Sequence, residues 1–186
     1  MSSVVRLVVS LGAILGFALP FALFASRGSE KAVQTAGASR WGIMLQGLGF
    51  WVVYLHPPAY WNSPIKPWRA AASLVFVVPC WWLAWTGPRH LGKQWRFQAA
   101  LTADHELVQT GPYRIVRHPI YASMLCLILS GCFSSGVWPA WPIGLLLFIL
   151  GMEIRVRAED RLLLGRFGAR FDKWKRETPA YLPFVR

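Results

Sequence analysis

Residues 7–25 form an apolar run of 19 residues without a charged side chain, flanked by Arg6 and Arg27. A helix rises about 1.5 Å per residue, so this run can cross a hydrocarbon core of roughly 30 Å. An arginine before an apolar run is also typical of a cleaved signal peptide. Because the run is longer than a usual signal core and more apolar runs follow it, we predict a transmembrane helix.

Four further apolar runs follow, at residues 41–55, 70–85, 120–133 and 138–154. Runs of this length are short for a transmembrane helix and also fit buried or re-entrant helices. The composition agrees with a membrane protein, since 55% of the residues are hydrophobic. We therefore predict an all-α, polytopic integral membrane protein with about five transmembrane helices.

The basic residues are distributed unevenly between the two predicted sides of the membrane. With five crossings and the N-terminus outside, the inner segments 26–40, 86–119 and 155–186 hold 17 of the 20 Lys and Arg residues. Cationic loops stay on the cytoplasmic side during insertion, which supports this orientation. The net charge of +12 is then explained by anionic headgroups, so we expect the lipid bilayer as partner and no nucleic acid.

The inner segment before the fourth run is polar and contains strong helix breakers. Residues 108–111 are predicted to form a short strand or turn that ends at Gly111-Pro112. Pro119 is expected to begin the next helix, since its missing N–H costs nothing in a first turn.

The C-terminal segment continues the fifth run with a helical pattern. Leu163, Phe167, Phe171 and Trp174 recur at spacings that place them on one helix face. This face is expected to lie against the membrane surface or to cover the inner segment, with an interruption at Gly168 and an end at Thr178-Pro179.

Two groups of charged residues lie at the predicted inner ends of helices. Arg155 and Glu159 are four residues apart and can form an ordinary interfacial ion pair, or they can serve a function. His118 follows Arg117 at a helix N-terminus, where free N–H groups favour anions. Arg117 and His118 fit equally well a role as anchors to lipid headgroups.

Other chemistries lack support in the sequence. His105 lies between Asp104 and Glu106, but no third ligand stands at a metal-site spacing, so no metal site is predicted. The three cysteines all lie in apolar runs and indicate neither a disulfide framework nor a metal site. The glycine signatures of Rossmann proteins, P-loop proteins and α/β hydrolases are absent.

Two motifs in the second half of the chain carry a resemblance. The residues TGPYRIVRHPIY at 110–121 and AEDRLLLGRFG at 158–168, followed by Pro179 and LPF at 182–184, resemble the isoprenylcysteine carboxyl methyltransferases and related phospholipid methyltransferases. The resemblance covers residues 89–186. Asp160 departs from the motif, which usually carries Glu there.

The resemblance implies a small multi-helix membrane protein that binds S-adenosylmethionine without a Rossmann domain and releases S-adenosylhomocysteine. It implies a cytoplasmic cofactor site in residues 89–186, and N-terminal helices in residues 1–88 that face the lipid and the substrate. Arg155 would bind the substrate carboxylate and act in catalysis with Glu159. The implied cofactor-binding residues are Gln98, His105, Glu106, Leu107, Val108, Tyr113, His118, Pro119, Ile120, Tyr121 and Glu159.

The resemblance leaves several functions open. The expected substrate is lipophilic or lipidated, and an isoprenylcysteine-type carboxylate, a phospholipid amine and a small thiol are all compatible with the motifs. An NADPH-dependent membrane reductase is an alternative, since sterol reductases resemble this family at their C-terminal ends. A non-catalytic membrane protein that kept the fold is a further alternative.

Overall fold

A computed structural model describes residues 3–24, 34–55, 64–95, 100–101, 104–135, 137 and 140–183. Within these residues lie six α-helices: α1 (Ser3–Phe24), α2 (Ser39–Tyr54), α3 (Pro67–Leu91), α4 (Pro119–Ser134), α5 (Ala140–Phe167) and α6 (Ala169–Glu177). There are also 3-10 helices at Gly92–Gln94 and Gly111–Arg114. The two-residue strands β1 (Gln34–Thr35) and β2 (Ala100–Leu101) pair antiparallel.

The five apolar runs correspond to helices α1 to α5, which confirms the helical fold class. Among the described residues, two helical stretches are long and apolar enough to cross a membrane: Ser3–Phe24, and Pro67–Gln94, which is α3 with the 3-10 helix that follows it. Their most apolar 18 residues have mean hydropathies of 2.4 and 1.5. Helices α2 and α4 have 16 residues each and are about 24 Å long. Five crossings therefore remain a prediction.

Residues 108–111 do not form the short strand that was one of the two predicted possibilities. The segment before Thr110 is without regular structure, and a 3-10 helix begins at Gly111. Gly111 has a φ of 59°, and a Cβ there would collide with the imidazole of His90 in α3. Glycine is thus needed both for the turn and for the close approach of the helix.

Helices α2 and α5 cross at glycines. A Cβ on Gly42 would lie 2.6 Å from the carbonyl oxygen of Gly151, and one on Gly49 would lie 2.6 Å from that of Gly144. The seven-residue spacing is the same in both helices, and the order of the two pairs shows that the helices run antiparallel. Small residues in such a seam let two backbones approach closely, which is common between membrane helices.

Hydrogen bonds between polar side chains join helices α1, α3 and α4. The hydroxyl of Ser73 in α3 lies 2.8 Å from that of Ser130 in α4, and Ser10 in α1 donates to Ser134 at 3.0 Å. At the same end of the bundle, Arg69 donates to the carbonyl of Phe133 at 2.8 Å. Helices α3 and α4 are therefore antiparallel. At the opposite end of the bundle, the end of α3 meets the start of α4, and the second half of α5 meets the start of α2.

The C-terminal segment covers this second end. Helix α5 ends at Phe167, Gly168 has a φ of 53°, and α6 ends before Thr178, as predicted. Leu163, Phe171 and Trp174 are buried in one cluster with Leu107 and Tyr113. The predicted apolar face thus covers the polar inner segment, the second of the two positions expected for it.

Candidate functional site

An open cavity of about 730 Å³ lies between the inner polar segment, the start of α4 and the end of α5. This volume includes the open solvent at the mouth of the cavity, and the enclosed space is about 80 Å³. The residues that line it are Leu91, Gln94, His105, Glu106, Leu107, Val108, Tyr113, Arg117, His118, Pro119, Ile120, Tyr121, Arg155, Glu159, Leu163 and Trp174.

The cavity brings together residues that are distant in the sequence. Every predicted site residue that the structure describes lies in its wall, including Arg155, Glu159 and His118. Gln98 is outside the described residues. The position of these residues in one wall is an observation, while the role of each one stays a prediction.

At the floor of the cavity, the basic pair Arg117 and His118 faces the acidic pair Glu159 and Asp160. The guanidinium of Arg117 donates through Nη1 to both carboxylate oxygens of Asp160, at 2.8 Å each. His118 lies between the two acids, with Nε2 2.9 Å from Asp160 Oδ1 and Nδ1 3.6 Å from Glu159 Oε2. Asp160 is buried, whereas the side chain of Glu159 is 34% exposed and so accessible from the cavity.

The local sequence explains why Arg117 and His118 take this position. His118 precedes Pro119, and a residue before proline is kept out of the helical conformation. The backbone N–H groups of Arg117 and His118 therefore remain available, and they donate to the carbonyls of Pro179 and Ala180 at 2.9 and 2.8 Å. The Arg117 side chain adds a bond from Nε to the carbonyl of Thr178. These bonds fasten the C-terminal segment beside the cavity.

The two carboxylates set the charge of His118. Burial by itself lowers the pKa of His118, but hydrogen bonds and charge from Asp160 and Glu159 outweigh burial and raise that pKa to about 9. Burial raises the pKa of Asp160, yet His118 and Arg117 hold it well below its usual range. Burial likewise raises the pKa of Glu159, but His118, Tyr121 and the charge of Arg155 together outweigh burial and lower that pKa below its usual value. At neutral pH the site therefore holds an imidazolium cation between two carboxylate anions.

This arrangement predicts a loss of stability at high pH. A histidine whose pKa rises from about 6.5 to about 9 on folding stabilises the protein fully below pH 6.5, and this contribution disappears as the pH rises through 9. We expect it to be on the order of 3 kcal/mol at most. The measurement is the melting temperature of the detergent-solubilised protein between pH 6 and pH 10. His118→Asn should melt lower at pH 6 and show a flatter profile, and a profile as steep as that of the wild type would contradict the assignment.

Arg155 is held by a helix from the other half of the chain. Its Nη1 donates to Oε1 of Gln46 in α2 at 2.7 Å, and its guanidinium lies 4.7 Å from the ring centroid of Tyr121. Glu159 faces His118. Arg155 therefore contacts both α2 and the start of α4, while its charge still lowers the pKa of Glu159, the neighbour that the spacing indicated.

Several residues of the site were not singled out from the sequence. The role of Asp160 as the common partner of Arg117 and His118 was missed, and so was that of Gln46. Gln94 accepts the backbone N–H of Glu106 at 2.7 Å and positions the inner segment. One signal for Asp160 was present: a basic pair at 117–118 and an acidic pair at 159–160 both stand at inner helix ends. For Gln46 no local signal existed.

Comparison with known proteins agrees with this geometry. The model of the isoprenylcysteine carboxyl methyltransferase family matches residues 73–165, which is half of the chain. Two curated proteins are similar. The nickel-cobalt-cadmium resistance protein NccN of Alcaligenes xylosoxydans xylosoxydans is 38% identical over 79 residues, or 42% of this chain and 36% of that protein. The cobalt-zinc-cadmium resistance protein CzcN of Cupriavidus metallidurans is 30% identical over 137 residues, or 64% of this chain and 63% of that protein. The matches span about a third and somewhat under two thirds of these relatives.

Proposed function

The chain belongs to the isoprenylcysteine carboxyl methyltransferase family, and from this membership we propose that it transfers a methyl group from S-adenosylmethionine to a lipophilic acceptor in the membrane. The family implies a methyltransferase, and the family together with the apolar helices indicates a membrane protein. The cofactor, the acceptor and the roles of the residues are our proposals.

The observation that carries this proposal is the cavity in which the two family motifs meet. S-adenosylmethionine has an amino-acid end, a sulfonium cation and an adenine, and the wall offers groups that suit each of them. Glu159 presents a carboxylate for a cationic or hydroxyl group, and the segment 105–108 presents backbone polar groups for the adenine. Buried Leu163 and Trp174 supply an apolar side that limits the access of water.

When bound, S-adenosylmethionine would supply an electrophilic methyl group on a sulfonium, whose sulfur would leave as a neutral thioether when an acceptor oxygen takes the methyl. A carboxylate acceptor is already a nucleophile, so the transfer moves no proton. The protein then contributes mainly position and exclusion of water. Arg155 lies in the wall of the same cavity as Glu159 and would orient the acceptor carboxylate by charge-assisted hydrogen bonds.

His118 is suited to electrostatic organisation of the site. Its two ring nitrogens face two carboxylates, and its raised pKa keeps both of them protonated at neutral pH. An imidazolium cannot act as a general base, and it has no lone pair for a metal ion. We assign methyl transfer to this site from the family and the cavity, although the two curated relatives are named for resistance to metal ions.

We also propose that the five long helices cross the membrane with the N-terminus outside and the cofactor site at the cytoplasmic face. The distribution of Lys and Arg supports this orientation. The gathering of alternate helix ends around the cavity supports an arrangement in which successive helices run in opposite directions. Residues 1–88 would form the lipid side of the acceptor site and residues 89–186 the cofactor site. The bond between Gln46 and Arg155 joins these two parts.

Calorimetric titration of the detergent-solubilised protein with S-adenosylhomocysteine tests the proposal, with NADPH as the parallel ligand. We expect saturable binding of S-adenosylhomocysteine alone. Glu159→Ala should weaken this binding about tenfold or more, because a charged hydrogen-bonding partner is lost. Arg155→Ala is the matched variant from the same wall: it should bind S-adenosylhomocysteine within about threefold of the wild type and lose turnover instead.

Each other outcome of the titration has a definite meaning. Binding of NADPH would move the chain to the reductases, and binding of neither ligand by folded protein would favour a non-catalytic member of the family. Equal affinity in the wild type and Glu159→Ala would remove Glu159 from the cofactor site.

A further inference from the structure

We propose that the end of the bundle opposite the candidate functional site binds an anionic phospholipid, with its phosphate at Lys66 and Arg69 and its acyl chains along an apolar cavity beside them. This inference is independent of methyl transfer. It assigns a ligand to a site that lies outside both family motifs.

A second open cavity lies between the start of α3 and the hairpin of α4 and α5. It measures about 800 Å³ with the solvent at its mouth included, and its wall is mostly apolar. Helices α4 and α5 contribute Leu129, Phe133 and Trp141 to the wall, while the start of α3 contributes Lys66, Trp68 and Arg69. The side chain of Trp68 is 61% exposed. Tryptophan beside cations is typical of the level at which lipid headgroups meet acyl chains.

The basic residues of this end of the bundle converge on the start of α3. The segments predicted to lie outside contain three Lys and Arg residues, namely Arg6, Lys66 and Arg69. Arg6 is buried in α1, and its Nη2 donates to the carbonyl of Pro64, two residues before Lys66, at 3.2 Å. Helix α3 begins at Pro67, so the positive end of its dipole lies at the same place. Positive charge is therefore concentrated at the mouth of the cavity.

No carboxylate side chain near this end balances the positive charge. None of the eight Asp and Glu residues of the chain lies in the three segments at this end, residues 1–6, 56–69 and 134–140. Arg69 donates instead to the carbonyls of Phe133 and Cys132 at the end of α4, at 2.8 and 3.1 Å. These bonds hold the guanidinium beside the cavity but leave its charge in place. A partly buried charge is costly without an opposite charge, so an anion from outside the chain fits here.

The chemistry of the cavity selects an anionic phospholipid. A phosphodiester has a negative charge and two oxygens that accept from ammonium and guanidinium groups. Its acyl chains would cover Leu129, Phe133 and Trp141, which a free phosphate ion would leave exposed to water. Phosphatidylcholine also carries a quaternary ammonium, which would meet Lys66 and Arg69 as a like charge.

The test uses the full chain in nanodiscs of phosphatidylcholine that contain a small fraction of phosphatidylglycerol with a diazirine in one acyl chain. Light attaches this probe to the residues around it, and proteolysis with mass spectrometry locates the adducts. The competitors are unlabelled phosphatidylglycerol, additional phosphatidylcholine and inorganic phosphate. The variants are Lys66→Gln and Lys66→Arg. Lys173→Gln is the matched control, because Lys173 is an exposed lysine of α6 at the other end of the bundle.

We expect adducts at Leu129, Phe133 or Trp141, and unlabelled phosphatidylglycerol should remove them at least about tenfold more effectively than phosphatidylcholine. Lys66→Gln should reduce these adducts about fivefold, which corresponds to the loss of one cation at a membrane surface. Lys66→Arg keeps the charge and should stay within about twofold of the wild type. Lys173→Gln should leave the adducts in the cavity unchanged.

Three other results would overturn the inference. Equal competition by the two lipids would show a cavity that any lipid fills. Equal losses in Lys66→Gln and Lys173→Gln would show general attraction by the net charge of +12 instead of a site. Competition by inorganic phosphate as strong as that by phosphatidylglycerol would assign the cations to a free anion. None of these results depends on S-adenosylhomocysteine, so the proposed methyl transfer stands or falls separately.

Discussion

Asp160→Ala is expected to destabilise the protein by about 3 to 5 kcal/mol, because it leaves the buried guanidinium of Arg117 without its carboxylate. Asp160 accepts two bonds from Arg117 and one from His118, and Lys175 lies 3.3 Å from its second oxygen. For a protein of this size the loss corresponds to a fall of about 10 °C or more in melting temperature. Affinity for S-adenosylhomocysteine should fall as well, because Arg117 and His118 anchor the C-terminal segment beside the cavity.

The control for this prediction is an exposed ion pair in the same region. Asp172 pairs with Arg176 one turn later in α6; the side chain of Arg176 is largely exposed and that of Asp172 about half-exposed. Asp172→Ala should therefore cost less than about 1 kcal/mol.

Asp160→Glu keeps the charge and restores the residue usual in the family motif, so it should cost about 1 to 2 kcal/mol for one extra methylene in a packed site. Melting followed by tryptophan fluorescence measures all three, and equal losses in Asp160→Ala and Asp172→Ala would refute the central role of Asp160.

Gly151→Leu is expected to prevent the close crossing of α2 and α5 and to cost at least about 3 kcal/mol. Even a Cβ at Gly151 would lie 2.6 Å from the carbonyl oxygen of Gly42 and 2.8 Å from the backbone nitrogen of Gln46. These are backbone atoms, so no side chain can turn aside and the helices must separate. Separation also moves Gln46 away from Arg155, and acceptor turnover should fall together with stability.

Helix α5 provides its own control for this substitution. Gly165 lies in the same helix, and a Cβ added there would have no described atom within 4 Å beyond its own helix backbone and chain neighbours. Gly165→Leu should be neutral or stabilising by up to about 1 kcal/mol, since glycine is a poor helix former. The same chemical change in the same helix thus has opposite expected effects at two positions. If both variants melt at the wild-type temperature, the close crossing does not hold the helices together.

The helices and most of the cavity wall could be predicted from the sequence. Each long apolar run forms a helix, and such a run can be recognised within a short stretch of the sequence without knowledge of its neighbours in space. The resemblance to the family named eleven of the sixteen residues of the cavity wall, and these eleven lie together. The exact ends of helices and the conformation before Gly111 were less predictable, since they depend on neighbours such as His90.

The partners of the charged residues depended on tertiary structure. The seven-residue spacing of Gly42 and Gly49, and of Gly144 and Gly151, is visible in the sequence. Nothing in the local sequence shows that these two glycine-bearing helix faces pack against each other. Any two helices with small residues on one face could have paired. The pairing of α2 with α5 decided that Arg155 bonds Gln46, a residue 109 positions away.

The sequence by itself therefore determined a helical membrane protein, its family and most of the residues of the cavity wall. Only the tertiary structure decided that Asp160 neutralises Arg117 and His118, and that an amide from α2 stands behind Arg155. The physical reason is that apolar runs and turn residues act within a few positions of the chain. Hydrogen bonds and ion pairs between helices depend instead on which helix faces come into contact.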